Sequence, residues 1–336
     1  MASEVNIEPV DEDSYPDRPK IDRSSPVQYK YIPREDISIS LPLNTIGNTE
    51  KQEATVTLVV SDIHAGDSDF LPRTWSSCVD NTVHVMTKLV QKFDIKNFLL
   101  VLNGDVVSGR DVYRYQHLRN LVQRGHWQIE LAAQLIRDLK QALAKVRPIE
   151  KTFILKGNHE NLAENYMIYL TNYMEDTWYA GHYKVLNIGY PIGDYNVLFT
   201  HGFGGSSYYP VSYEVIRDCW KAFNQYKAKG VQIEEIALGH FHWLQPRLFL
   251  EGLTISVTGG FQRWEKTISQ RPSGFLLFIH SQGETSVTGI RPDPEIEADE
   301  LTASDLEFTN LDFYSQKLTE AIAYLKGKEQ PREVVL

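Results

Sequence analysis

Cysteine is scarce in this sequence, since only Cys78 and Cys219 occur among its 336 residues and neither belongs to a CxxC pair. A disulfide framework is therefore excluded, and we expect a reducing, cytoplasmic setting. No apolar run approaches the roughly 18 residues that a membrane helix needs, so we expect no membrane contact. The first 20 residues are polar and acidic, which argues against a secretory signal and a basic transit peptide.

The acidic residues are unevenly distributed along the chain, whose net charge is −10. Residues 1–25 hold seven acidic and three basic residues, and residues 293–308 hold seven acidic residues and no basic one. The rest of the chain is therefore nearly neutral, at about +1. The overall acidity thus does not argue against an anionic substrate for the region between these two segments.

The sequence pattern divides the chain into three regions. Residues 1–50 are expected to form an acidic, Pro/Ser-rich N-terminal arm without a fold of its own. Residues 51–292 are expected to form one domain, and residues 293–336 an acidic segment followed by a helix near 311–326. The apolar pattern of the central region predicts seven strands, at 55–60, 97–102, 152–156, 195–200, 233–238, 253–258 and 274–279.

Helical periodicity occurs between some of these strands. Apolar residues with a 3.6-residue period predict helices at about 81–93 and 132–146. The first four strands have connections long enough for helices, whereas the last three follow one another closely, as in a meander. These features together predict an α/β layered domain with a mixed sheet arrangement.

Aspartate, asparagine or histidine stands beside glycine after five of the predicted strands. In open α/β sheets, ligand sites form at the carboxyl ends of the strands, so we expect these side chains to converge. The neighbouring glycines allow the backbone to turn sharply there. The segments concerned are Ser61–Gly66, Asn103–Asp105, Gly157–Glu160, His201–Gly202 and Gly239–His242.

The side chains of these segments have the chemistry of metal ligands. Imidazole nitrogens combined with carboxylate and amide oxygens suit Mn²⁺, which we expect here, with Fe, Zn²⁺ and Mg²⁺ as alternatives. Six or seven such groups are too many for one tetrahedral ion, but they suit two divalent ions that share a bridging carboxylate. Each segment alone has a structural explanation, such as Asn158 capping a helix, but five segments in one setting favour a metal site.

The motifs D-x-H, G-D, G-N-H-E, H-G and G-H-x-H, in this order, resemble the calcineurin-like metallophosphoesterase superfamily over about residues 55–280. The resemblance implies a four-layer α/β/β/α sandwich, in which two mixed sheets pack face to face with helices outside. It implies a set of metal ligands that consists of Asp62, His64 and His242 for the first ion, Asn158, His201 and His240 for the second, and Asp105 as the bridge.

The same resemblance implies a catalytic role for His159, which would bind no metal. Its imidazole would stabilise charge in the transition state or protonate the leaving oxygen as a general acid. The nucleophile would be a hydroxide that bridges the two metals. The resemblance thus implies hydrolysis of a phosphoric ester.

Three features resemble the repair-nuclease and phosphodiesterase branches, and one resembles the serine/threonine phosphatases. Gly66 follows His64 by two residues, and the segment after Asp105 does not contain the Val-Asp-Arg-Gly run of the phosphatases. The double-histidine motif G-H-x-H is typical of nucleases and diesterases. Glu160, by contrast, completes the motif G-N-H-E, which is the form typical of the phosphatases. We therefore expect a phosphodiesterase or nuclease acting on nucleic-acid or nucleotide diesters. A phosphomonoesterase, a protein phosphatase and a binding subunit that has kept the fold are the alternatives.

A basic stretch directly follows the bridging aspartate. Residues 110–147 hold eight basic and three acidic residues, with aromatic residues between them, as in proteins that bind single-stranded nucleic acid. We expect Arg110 and Arg114 to bind substrate phosphates, and a solvated helix face is the alternative interpretation. The sequence leaves open whether the chain forms a homo-oligomer or binds a partner subunit.

Overall fold

Two mixed β-sheets form the centre of the computed structural model, which describes residues 51–109, 112, 119–160, 171, 174–202, 212–250, 252–263, 272–302 and 306–328. The six-stranded sheet contains β1 (Gln52–Val60), β2 (Phe93–Asn103), β3 (Lys151–Leu155), β4 (Thr177–Gly181), β10 (Phe275–Ser281) and β11 (Glu284–Ile290), in the order β11-β10-β1-β2-β3-β4. The five-stranded sheet contains β5 (Tyr183–Asn187), β6 (Asn196–Thr200), β7 (Glu235–Leu238), β8 (Gln245–Leu250) and β9 (Leu253–Val257), in the order β5-β6-β7-β9-β8.

Two of the helices begin where the sequence offers a favourable first turn. The first helix starts at Pro72, which has a suitable φ and needs no amide donor at this position. The third starts after Ser212, whose hydroxyl caps the Val215 N–H. Among the described residues, no helix is both long and apolar enough to cross a membrane. The helices are α1 (Pro72–Lys92), α2 (Gly125–Ala144), α3 (Tyr213–Ala228), α4 (Pro294–Thr302) and α5 (Leu306–Lys328).

The core lies between the two sheets and under the helices on their outer faces. Val59, Val101 and Phe278 of the first sheet pack against Phe199 and Ala237 of the second. Successive side chains in a strand point to opposite faces, so the residues next to these point outwards to the helices. On the first sheet α1 covers the outer face, and on the second sheet α3 does so. The expected α/β/β/α sandwich is therefore confirmed.

The seven predicted strands are confirmed, but the meander predicted for the last three is wrong. β7 and β9 are parallel neighbours, and β8 pairs antiparallel with the far side of β9. β10 belongs to the other sheet, where it pairs with β1. The strands that the sequence pattern missed are β4, β5, β8 and β11, which are the four edge strands of the two sheets.

The acidic segment after residue 292 packs on the domain through α4 and α5. The backbone N–H groups of Arg73 and Thr74 donate to the buried carboxylate of Glu300, at 2.9 and 2.7 Å, so α4 caps the start of α1. Lys317 of α5 donates to Asp138 of α2 at 2.5 Å. The boundary at residue 292 stays a prediction, and residues 1–50 lie outside the described residues.

Candidate metal centre

The carboxyl ends of five strands meet at one end of the sandwich. β1, β2 and β3 are parallel neighbours in the first sheet, and β6 and β7 are parallel neighbours in the second. Each of these strands is followed by one of the polar segments found in the sequence. The structure brings together the side chains of Asp62, His64, Asp105, Asn158, His201, His240 and His242.

Asp62, His64 and His242 form the first group, and all three side chains are buried. The Nε2 atoms of the two histidines are 3.1 Å apart, and Asp62 Oδ1 lies 3.1 Å from His242 Nε2 and 3.8 Å from His64 Nε2. Three ligand atoms therefore converge on one small volume, as a metal site requires.

The second group contains His201, His240 and Asn158, together with Asp105. Asp105 Oδ2 lies 2.9 Å from His201 Nε2, and His240 Nδ1 lies 2.9 Å from Asn158 Oδ1. The same Asp105 oxygen is 3.9 Å from His64 Nε2 of the first group. Asp105 thus lies between the two groups, where a bridging carboxylate would have to be.

Left-handed backbone conformations are concentrated at the candidate ligands. Few residues other than glycine adopt positive φ, and such residues store strain that the surrounding structure must hold. Five residues of the candidate metal groups adopt this conformation. The ligands with positive φ are Asp62 (54°), His64 (50°), Asp105 (49°), His240 (73°) and His242 (50°).

A hydrogen bond to the opposite ring nitrogen orients the candidate ligand His201. Its Nδ1 lies 2.7 Å from the carbonyl oxygen of Asn103, so a proton on Nδ1 leaves Nε2 facing Asp105. The side chain of Asn103 donates to the Thr200 carbonyl at 2.9 Å and thereby ties the end of β2 to the end of β6. The sequence analysis includes Asn103 in one of the five polar segments, but it does not predict this contact between the two strand ends.

The pKa values of two candidate ligands are low enough to keep them neutral. Burial, together with the nearby His159, lowers the pKa of His64 to about 3. Burial, together with the nearby His201, lowers the pKa of His240 to about 4. A neutral imidazole has a nitrogen lone pair, which is the form that binds metal.

The pKa of His201 is shifted in the opposite direction. Burial alone would lower it, but the charges of Asp105 and Asp62 raise the pKa of His201 to about 10. Burial would likewise raise the pKa of Asp105, yet the histidines around it, His201 foremost, hold that pKa well below its ordinary value. Without metal, Asp105 and His201 therefore form a buried ion pair.

The buried polar atoms of the site fit two divalent cations. Asp62 Oδ1 and His201 Nε2 are inaccessible to solvent and make no hydrogen bond, although each has an oppositely charged group nearby. Buried polar atoms without hydrogen bonds are costly, and a metal ion would satisfy both of them. The donor set of imidazole nitrogen, carboxylate and amide oxygen suits Mn²⁺, Fe or Zn²⁺.

His159 lies beside the ligands and is held from behind by the backbone. Its Nδ1 is 2.5 Å from the carbonyl oxygen of Ser108, and its ring meets that of His64 edge-on, with centroids 4.4 Å apart. Nε2 lies 3.8 Å from Asp105 Oδ2, so it is the ring nitrogen directed to the centre. His159 also forms, with His64 and Asp105, a third group of side chains that could hold a metal ion.

Glu160 has a structural role that its motif did not reveal. Its fully buried carboxylate accepts hydrogen bonds from the backbone N–H groups of Asp105, Val106 and Val107, at 3.1, 2.6 and 3.3 Å, and from Gly157, at 2.8 Å. Burial and the charge of Asp105 raise the pKa of this carboxyl group to about 7. Glu160 thus joins two of the loops that carry candidate metal ligands.

The two predicted phosphate-binding residues, Arg110 and Arg114, lie outside the described residues. In the described part of the basic stretch, several side chains have protein partners. Arg119 pairs with Asp69, and Arg137 lies 4.2 Å from the ring centroid of Tyr324 on α5. Two further pairs are those of Lys140 with the Glu175 carbonyl, at 3.1 Å, and of Arg147 with Glu150, at 2.6 Å. These contacts indicate that this part of the basic stretch stabilises the fold, and they do not favour a role in phosphate binding.

Several solved structures are similar to this chain at low sequence identity. A predicted phosphoesterase from Streptococcus pneumoniae is 14% identical, with a TM-score of 0.34, over 72% of this chain and 94% of that chain. Wild-type Vps29 from Entamoeba histolytica, complexed with Zn²⁺, is 13% identical, with a TM-score of 0.35, over 70% and 98%. A 5'-nucleotidase from Candida albicans is 13% identical, with a TM-score of 0.41, over 83% of this chain but 59% of the nucleotidase.

Sequence comparisons identify a family for this chain but no curated relative. No curated protein matches the sequence significantly. By contrast, residues 55–266 match the family described as Calcineurin-like phosphoesterase. The matched range covers more than half of the chain and includes all of the candidate metal ligands and His159. With the sandwich fold and the converging ligands, this match shows that the chain belongs to the calcineurin-like phosphoesterase family.

Proposed function

We propose that this chain is a phosphodiesterase that uses two divalent metal ions and acts on nucleic-acid or nucleotide diesters. The observation that carries the proposal is the convergence of seven metal-ligating side chains at one end of the sandwich, with Asp105 between the two groups. When bound, the two ions would neutralise charge on the phosphate and activate a water for attack on phosphorus.

The chain's own contribution to proton transfer is assigned to His159. The contact between Nδ1 and the Ser108 carbonyl supports this role, because it fixes the ring and leaves Nε2 facing the centre. In the protonated ring, Nε2–H can donate its proton to the leaving oxygen as the ester bond to phosphorus breaks. Asp105 Oδ2 lies 3.8 Å from this nitrogen, so His159 Nε2 is directed to the same centre as the candidate bridge.

A diester is proposed in preference to a monoester for an electrostatic reason. A diester carries one negative charge fewer than a monoester, so it needs no arginine clamp beyond the two metals. The loop after Asp105 lacks the phosphatase-type arginine run, and the Ser108 hydroxyl on this loop faces Asp67 and Asn120. Glu160, the phosphatase-like feature, binds backbone N–H groups, so its identity reflects loop structure and does not argue for a monoester.

We propose that the diester bond belongs to a nucleic acid. Its support is the excess of basic and aromatic residues that starts directly after the Gly-Asp motif. Because several of the described basic residues have protein partners, the proposal rests mainly on Arg110 and Arg114. A nucleotide diester without a polymer would need the metal centre but not this stretch.

A substrate panel with Mn²⁺ tests the proposal. The panel contains bis-p-nitrophenyl phosphate, p-nitrophenyl phosphate, single-stranded DNA and double-stranded DNA, and Asp105→Ala serves as the inactive control. We expect turnover of the small diester and of DNA by the wild type. Efficient monoester cleavage without diester cleavage would instead establish a phosphomonoesterase. Full metal occupancy with no turnover on any of these esters would favour a binding subunit.

A further inference from the structure

A buried polar cluster outside the metal ligands joins the C-terminal helix to the loop that holds His159. Its centre is Asp67, which is 1% exposed and lies three residues after His64. None of the motifs in the sequence includes Asp67. A buried carboxylate is stable only where polar groups surround it, so its partners indicate what it holds in place.

The Asp67 carboxylate connects three loops. Oδ1 accepts a hydrogen bond from the backbone N–H of Asp69, at 2.9 Å. Oδ2 accepts one from Gln262 Nε2, at 2.7 Å, and lies 3.1 Å from the Ser108 hydroxyl. That hydroxyl is also 2.7 Å from Asn120 Oδ1, and with one hydrogen it can donate to only one of the two acceptors at a time.

Tyr314 attaches helix α5 to the same residue. Its ring is 1% exposed, and its hydroxyl donates to the backbone carbonyl of Asp67, at 2.7 Å. The ring stacks on Phe70, with centroids 5.9 Å apart. A hydroxyl group buried this deeply needs a partner, so this hydrogen bond fixes the register of α5 against the loop after β1.

The cluster reaches His159 through Ser108. The side chain of Ser108 faces Asp67, and its backbone carbonyl is 2.5 Å from His159 Nδ1. The position of this carbonyl decides which ring nitrogen carries the proton and where Nε2 points. A displacement of Asp67 would therefore be passed to the imidazole through a single residue.

We propose that Asp67 and Tyr314 are positioning residues for His159, so that the C-terminal helix forms part of the support of the catalytic site. This inference rests on the proposed role of His159 as a general acid. A general acid loses efficiency when its reacting atom is displaced by a fraction of an ångström, because geometry controls proton transfer. Neither Asp67 nor Tyr314 is a candidate metal ligand.

The test is a double-mutant cycle with two leaving groups. Tyr314→Phe removes one hydroxyl and keeps the ring, and Asp67→Asn keeps the size of the side chain. Tyr195→Phe is the matched control, since this hydroxyl also has polar partners, Glu235 at 2.8 Å and Arg247 at 2.8 Å, but lies at the opposite end of β6 from His201. The substrates are a p-nitrophenyl diester and an unsubstituted phenyl diester, whose poorer leaving group depends more on the acid.

We expect Asp67→Asn to lower kcat on the phenyl diester by about 10-fold to 100-fold, the range for outer partners of site residues. The loss on the p-nitrophenyl diester should be smaller, and metal content and KM should be unchanged. Tyr314→Phe should act in the same direction with a smaller effect, and Tyr195→Phe should have none. In a His159→Ala background neither substitution should reduce the rate further. A full additional loss in that background, or a loss of metal, would overturn the inference.

A second measurement separates this inference from the proposed function. The ring nitrogens of His159, labelled with ¹⁵N, report its tautomer by NMR whether or not the protein turns over a substrate. Asp67→Asn and Tyr314→Phe should change these ring signals, and Tyr195→Phe should leave them unchanged. Unchanged signals in all three variants would refute the positioning role. A wild type without activity but with the expected signal changes would refute only the proposed function.

Discussion

Asp105 and His201 form a buried ion pair, with 2.9 Å between Oδ2 and Nε2. Both atoms belong to the candidate metal site, so an incoming metal must replace the proton on His201 Nε2. Because the charges of Asp105 and Asp62 raise the pKa of His201 to about 10, this proton is present at neutral pH in the metal-free protein. Metal binding and proton binding therefore compete at the same nitrogen.

The competition predicts a pH dependence of metal affinity. A proton that is bound in the metal-free form and released on metal binding makes the affinity for Mn²⁺ rise with pH, by about tenfold per pH unit between pH 6 and pH 9. Calorimetric titrations in buffers of different ionisation enthalpy would count the released protons. His64 and His240 should contribute none, because their pKa values are about 3 and about 4. An affinity that is independent of pH would contradict the assignment of His201.

The position of Asp105 predicts how the two metals are lost. Wild-type protein saturated with Mn²⁺ should contain two ions per chain by metal analysis, and Asp105→Ala should weaken both, because the carboxylate lies between the two groups. His242→Ala should weaken one ion, since its contacts are with the first group. Asp94→Ala, which removes a carboxylate paired with Lys96, is the control and should keep both ions. A wild type that holds at most one ion would rule out the dinuclear site.

The surroundings of His159 predict a variant that keeps the metals but loses turnover. His159→Ala should lower kcat by roughly 10²–10⁴, the range for loss of a positioned acid, while metal content and the thermal midpoint stay near those of the wild type. Steady-state kinetics on bis-p-nitrophenyl phosphate and metal analysis of the same preparation provide the measurement. Turnover near that of the wild type would remove His159 from the catalytic machinery.

The four backbone hydrogen bonds of Glu160 predict a loss of stability and of metal affinity. In Glu160→Gln, an amide NH₂ group would face backbone N–H groups, which leaves buried donors unsatisfied at a cost of about 1–3 kcal/mol. Chemical denaturation of the metal-free protein measures this loss, and Mn²⁺ titration should show weaker binding because the Asp105 loop is released. Glu150→Gln, at a partly exposed carboxylate paired with Arg147, should have little effect. Equal stability of the two variants would contradict the role of Glu160 in joining the loops.

The proposed nucleic-acid substrate predicts a specific dependence on salt. Contacts with phosphates release counterions, so the affinity for single-stranded DNA should fall steeply as salt rises. Arg110→Glu and Arg114→Glu should weaken DNA binding but spare hydrolysis of the small diester. Arg147→Glu is the control, since Arg147 pairs with Glu150 in the structure. An equal loss on DNA and on the small diester would mean that Arg110 and Arg114 support the fold or the metal site.

The strands that could be predicted from the sequence and those that could not differ in their place in the sheets. All seven predicted strands are interior strands, and the four missed ones, β4, β5, β8 and β11, are the edges. Interior strands are covered on both sides, and several contain a continuous apolar run, such as Phe98–Leu102 of β2. Edge strands face solvent on one side, and β11, with the sequence ETSVTGI, has no such run.

The candidate site also has a part that could be predicted from the sequence and a part that could not. The ligands directly follow strands, so local sequence was sufficient to predict that they converge. The contacts of Glu160, Asn103 and Asp67 join segments that lie far apart in the chain, and no local pattern encodes them. The left-handed backbone at Asp62 and four other ligands was also unpredictable, because these residues seldom adopt it unless tertiary structure enforces it.

The candidate ligands come from both sheets, and this has a consequence for the stability of the protein. Asp62 and Asp105 follow strands of the six-stranded sheet, whereas His201 and His240 follow strands of the five-stranded one. A bound metal pair would link the two sheets, so metal occupancy would add to the free energy of unfolding. A ligand present at 100 times its dissociation constant adds about 2.7 kcal/mol. The lifetime of this protein in a cell would then depend on the supply of free metal as well as on its own sequence.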